Sequence, residues 1–214
     1  MQDTQPHGPP KTDHVHEAVP LDTAFDFVNT YELEGDGYVD RLTSLDVAAR
    51  WLVEHGVVGH RRWIVGLNAS IDRTNALERI TRTRSALWEV AHAVAHEEAP
   101  PPAAVEEVNR ALQSRERIEL VPAEDGVRLG HSHVGDAIDN ALARIADPIA
   151  RALGTGHDDR IRQCANDTCQ WLFYDESRTG QRRWCDMKTC GNRAKARRHR
   201  ERQKAESGEA APAG

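Results

Sequence analysis

The sequence predicts an α+β fold that is mostly helical: a helical body with one small antiparallel sheet, then a small cysteine-bearing module ending in a basic helix. Three observations predict it. Apolar residues recur at helical spacing through most of residues 20–153. One segment, 118–129, alternates instead about a central "PAEDG" turn. All 4 cysteines, Cys164, Cys169, Cys185 and Cys190, fall in the last quarter of the 214 residues.

The elements follow in order. Residues 1–19, rich in Pro, His, Asp and Thr, are expected to form a disordered leader. In "LDTAFDFVNTYEL", 21–33, Leu21, Phe25 and Val28 share a helical face, and "GDG" at 35–37 ends that helix. Ser44 caps "LDVAARWLVEHG", with Leu45, Ala48, Ala49 and Leu52 inward and Gly56 as the stop. A long helix opens near Ser70 and runs towards Glu98, with Ile71, Leu77, Ile80, Leu87, Trp88, Ala91 and Ala95 as its stripe. "PPP" at 100–102 stops it, and a shorter helix spans about 103–114. The strand pair places Ile118 and Leu120 against Val127 and Leu129. A helix from about Val134 to Leu153 turns Ile138, Leu142, Ile145 and Ile149 inward, with a bend expected at Pro148. "GTGHDD", 154–159, is a linker, 160–205 the cysteine module and 206–214 a disordered tail.

Charge divides the same way. The chain carries −6 overall, but residues 160–204 hold 13 Lys and Arg against 5 Asp and Glu, a net of +8. Subtracting these from totals of 28 and 34 leaves 15 basic and 29 acidic residues elsewhere, a net of −14. A basic module that meets polyanions is thus attached to an acidic body that does not. No apolar signal sequence and no run of roughly 18 apolar residues occurs, so a membrane span is excluded and a cytoplasmic protein expected.

The cysteines are spaced Cys164-x4-Cys169, then 15 residues, then Cys185-x4-Cys190. Two such pairs can place four thiolates tetrahedrally around one Zn²⁺, and with no open position the ion is structural. An iron–sulfur cluster or redox dithiols are the alternatives. "WLFYD", 171–175, is a strand, "SRTGQ" a turn and "RRW", 182–184, the return strand; Thr189 caps a helix opened by Cys190. Knuckle, hairpin and ligand-bearing helix make a treble-clef-like zinc finger. Along the helix Arg193, Arg197, Arg200 and Lys204 form a stripe flanked by Lys195, Arg198 and Arg202, and Arg182 and Arg183 add charge from the hairpin. These residues are candidate phosphate contacts, with Asn192 either reading a base edge or bonding the helix start. Trp171 and Trp184 either stack on bases or wall the finger's core.

"LFYDESRTGQRRWCDMKTCGNRAKARRHRER" resembles the CGNR zinc-finger proteins of bacteria, named for Cys190, Gly191, Asn192 and Arg193. "FDFVNT", 25–30, with "DVAARWL", 46–52, resembles the ABATE domain that precedes that finger. The resemblance implies zinc and a stress-linked transcription regulator acting on double-stranded DNA. The acidic domain then serves sensing or dimerisation, leaving a homodimer and a small-molecule effector open. An RNA- or ribosome-associated module is the alternative function. Phe25, Asp26, Asn29 and Thr30 are candidate ligand contacts, against a plain reading of Phe25 as core and Asn29 as a helix end. His92 and His96, at i and i+4, lack the adjacent Glu of a zincin helix, and His131 and His133 suit a turn. No Ser-His-Asp order, phosphate loop or dinucleotide glycine motif is present, so no enzyme is expected.

Overall fold

The computed structural model describes residues 18–59, 73–115, 117–123, 126–132, 134–156 and 158–206. Ile71, His133, the "ED" of the 118–129 turn, the start of the long helix at Ser70, most of the leader and the tail beyond 206 lie outside them.

Helix α1 (Leu21–Val28) buries Ala24, Phe25, Phe27 and Val28. It is shorter than the periodicity suggests. Residues Tyr31–Glu34 leave the helix as strand β1 and pair antiparallel with β2 (Gly37–Asp40). Gly35, at φ +64°, supplies the left-handed turn residue between them. "GDG" therefore joins two strands, and the pair at 118–129 is not alone. The tyrosines at 31 and 38 favour a pleated, half-buried surface over another helical turn.

Helix α2 (Leu45–Glu54) starts at Ser44, whose side chain accepts a hydrogen bond from the Val47 N–H. Helix α3 (Arg73–Ala95) crosses the body and buries Ala76, Ile80, Leu87, Val90 and Ala91. Helix α3 ends at Ala95, before the prolines, with Glu97 left-handed at φ +58° and the Glu98 N–H donating to the Ala93 carbonyl; helix α4 (Pro102–Leu112) then begins on a proline. Strands β3 (Arg117–Ala123) and β4 (Gly126–Ser132) form the expected hairpin, with Leu120 opposite Leu129. Helix α5 (Ala137–Gly154) runs through Pro148 and buries Ile138, Leu142, Ile145 and Ile149. Its first turn is closed reciprocally by Asp136 and Asp139, and Arg79 of α3 pairs with Asp136 at 2.6 Å.

These helices share one apolar core. It takes in Ile161 and Leu172 from beyond the body, each 2% exposed or less. A second, smaller cluster gathers Cys164, Phe173, Trp184, Cys190 and Ala194. No helix among the described residues is long and apolar enough to cross a membrane.

Candidate metal centre and basic helix

Strand β5 (Ile161–Gln163) pairs antiparallel with β6 (Leu172–Tyr174). The expected partner of 171–175 was 182–184, which forms no strand. The reason lies in alternation. Leu172 and Tyr174 face the body's core with Ile161, while Phe173 faces the second cluster with Cys164. A hairpin of three-residue strands thus serves two cores at once.

The knuckle between these strands carries the first cysteine pair. The Cys164 N–H donates to the Trp171 carbonyl at 2.8 Å, and the Cys169 N–H to that of Asn166 at 2.8 Å. Gln170 turns the chain at φ +59°. The Asn166 amide also donates to Cys190 Sγ at 3.4 Å, tying the knuckle to the second pair.

Between the pairs the chain is held by Asp175, which is fully buried. Its carboxylate accepts from the Ser177 N–H at 2.9 Å and the Arg182 N–H at 2.7 Å. Burial pushes its pKa up, but bonds from Ser177 and Arg182 outweigh this and hold the carboxyl below the usual carboxylate range. The final helix is capped by Asp186, not Thr189. Asp186 accepts from the Thr189 N–H at 2.7 Å and its hydroxyl at 2.9 Å. That first turn, Met187–Gly191, is wound wide, in π geometry, and contains Cys190. Helix α6 (Asn192–Glu206) continues from it.

The four sulfurs all lie within 4.8 Å of one another, with Cys169–Cys185 at 3.6 Å and Cys185–Cys190 at 3.7 Å. Tetrahedral zinc–thiolate bonds of about 2.3 Å require S···S edges of about 3.8 Å. The donor set and its spacing therefore fit a single four-thiolate metal ion. Thiols this crowded share protons. Hydrogen bonds from Cys169 and Cys185 pull Cys164 down to about 2, while the bond to Cys164 pushes Cys169 up to about 12 and Cys185 upward as well. A divalent cation is what allows all four to ionise together. Once bound it supplies folding energy to the knuckle and the first helical turn.

Beyond that turn α6 packs on nothing extensive. Ala194 is buried, and the residues from Lys195 to Ala205 are exposed. Arg193, Lys195, Arg198, Arg200, Arg202 and Lys204 are all exposed. Arg197 is engaged by Asp167 of the knuckle at 3.1 Å and Glu201 at 3.8 Å. Arg182 turns inward: its guanidinium donates to the Trp184 carbonyl at 2.8 Å, to that of Cys185, and lies 4.9 Å over Phe173. Arg183 stays exposed beside Trp184. The Asn192 amide donates to the Lys188 carbonyl at 2.9 Å, a bond within the helix start. Trp184 is buried in the finger's cluster, and the Trp171 indole donates to Glu32 of β1 at 2.9 Å.

The "FDFVNT" residues sit against this finger. Asn29 spends its amide on the Leu172 backbone. The Thr30 hydroxyl donates to Phe27 and accepts from Arg84 at 3.0 Å. Phe25, mostly buried in the core, borders a cleft of about 510 Å³ between α1 and the finger, with Asp26 beside it. Burial raises the Asp26 carboxyl above its ordinary pKa. His92 and His96 stack on each other behind Trp88, and among the described residues only the four cysteines cluster as metal donors. Sequence reasoning missed Asn166, Glu32, Tyr38 and Arg84. None carries a local signal, because each acts on a partner far along the chain.

Residues 21–156 match the model of the ABATE domain, described as "Putative stress-induced transcription regulator". Residues 160–203 match the CGNR zinc finger. No curated protein matches the chain.

Proposed function

Since the chain belongs to the ABATE family and ends in a CGNR zinc finger, we propose that it is a transcription regulator whose metal-built finger lays α6 on duplex DNA. One structural Zn²⁺ on Cys164, Cys169, Cys185 and Cys190 holds the first helical turn. Four thiolates fill its coordination, so the ion is structural and the reading is of a binding protein.

The observation that carries this proposal is the state of α6. It presents seven Lys and Arg over 15 residues, about 22 Å of helix, and its anchor is the cysteine turn. Charge on all sides of a projecting helix suits a groove with phosphates on both walls. The major groove of B-DNA, about 12 Å wide, admits a helix. The deep, narrow groove of A-form RNA does not. The acidic body, repelled by the same phosphates, is left for sensing or for pairing with a second copy. On this reading the protein works in the reducing cytoplasm, where thiols remain available to metal.

Selection from a random duplex library beside an RNA pool, with zinc-loaded protein, tests the proposal. Enrichment of a duplex motif is the expected result. Enrichment of RNA alone would replace it with the RNA-associated reading.

A further inference from the structure

A second cavity lies between the end of α1, the β1–β2 hairpin and α3. It has a volume of about 330 Å³, and Val28 and Arg84 lie at its base. Three aromatic side chains, Tyr31, Tyr38 and Trp88, make its walls. The tyrosines stack with centroids 5.2 Å apart and planes 10° from parallel. Although large and mostly apolar, they are 46% and 49% exposed. Volume and lining both fall in the range of small-molecule sites.

Charge selects the occupant. Arg84 is only 4% exposed in its side chain and is held bidentately by Asp40 at 2.7 and 2.7 Å. Its charge is thereby offset within the protein. Glu89 stands exposed at the mouth, one turn after Ser85, with no ion-pair partner among the described residues. The cavity is therefore aromatic-walled, with the Arg84 guanidinium already 5.5 Å over the Tyr31 ring and Glu89 adding one net negative charge at the entrance. Aromatic faces attract cations, and the attraction grows as water is excluded. An anionic ligand would meet Glu89 and would have to displace Asp40 from Arg84.

We propose that this cavity binds a small aromatic ligand bearing a positively charged nitrogen, its ring against the Tyr31–Tyr38–Trp88 walls and its charge beside Glu89. The site is one hydrogen bond from the metal knuckle, because the Tyr38 hydroxyl donates to Gln170 at 3.0 Å.

Three probes of one size separate the charges: benzylammonium, benzyl alcohol and benzoate, titrated into metal-loaded full-length protein and followed by NMR, with Trp88→Phe assigning the indole signal. Benzylammonium should shift the Trp88 signal and bind roughly fivefold tighter than the alcohol, with benzoate weakest. Glu89→Gln, a surface change, should reduce that preference to about twofold without affecting the alcohol. Benzoate binding as tightly as benzylammonium overturns the proposal. So does the absence of binding by any probe, or a fivefold charge preference left undiminished by Glu89→Gln.

Discussion

Asn29 at the end of α1 and Leu172 in β6, 143 positions apart, exchange two hydrogen bonds as neighbouring strands do. The Asn29 amide donates to the Leu172 carbonyl at 2.8 Å, and the Leu172 N–H donates back to Asn29 Oδ1 at 3.0 Å. One side chain thus supplies the missing edge partner of a short hairpin. Both residues are buried, so no water can replace either bond. With Glu32–Trp171 and Tyr38–Gln170 alongside, three successive finger residues, 170–172, are bonded to the body.

Asn29→Ala should accordingly destabilise the protein by about 2–4 kcal/mol, since it strands a buried donor and a buried acceptor. Asn29→Asp should recover only part of the loss: it still accepts from the Leu172 N–H but presents a lone pair to the carbonyl. Denaturant unfolding of the three proteins measures this.

Much of the finger was legible because its signals are local. Cysteine spacing and charge run are properties of neighbouring residues, and the structure brings the sulfurs together as the spacing implies. The errors share one cause, which is that β pairing is decided by distant partners. Tyr31 to Leu33 continues an apolar helical pattern, so only pairing with Tyr38 and Val39 identifies it as a strand. Residues 182–184 looked like the return strand because Gly180 supplies a turn, yet 172–174 pair backwards with 161–163 to serve two cores. Asn29's partner is invisible to any local rule.

The Arg84–Asp40 pair gives an acid limb to stability. Hydrogen bonds from Arg84 are the main reason the Asp40 carboxyl sits below the usual carboxylate range, against the upward push of burial. A depressed folded pKa contributes stability above the unfolded value of about 3.9 and loses it as pH falls through the folded one. Wild-type stability should therefore fall on acidification below about pH 4, and Asp40→Asn should flatten that limb. Asp40→Ala, which leaves Arg84 buried and uncompensated, should cost about 3 kcal/mol at pH 7, the low end for such pairs because Asp40 is itself one-third exposed.

Metal removal should cost the finger its order. Cys185→Ser, or a strong chelator on the wild type, should remove the helical circular dichroism of α6 and abolish duplex binding. Retention of metal and helix by Cys185→Ser would mean that the four thiolates do not form the site.

Asp167 competes with phosphate for Arg197 across an exposed pair. Asp167→Ala should free that guanidinium, strengthen duplex binding two- to threefold and steepen its salt dependence by about one unit. Fluorescence anisotropy on a fixed duplex reads both.

The salt dependence of duplex binding, measured with and without metal, addresses the central claim most directly. If α6 engages about six phosphates, log K should fall against log salt with a slope near −5 for the zinc-loaded protein, and both affinity and slope should collapse on chelation. A binding constant indifferent to salt, or one unchanged when the metal is withdrawn, would contradict a metal-built helix acting on DNA.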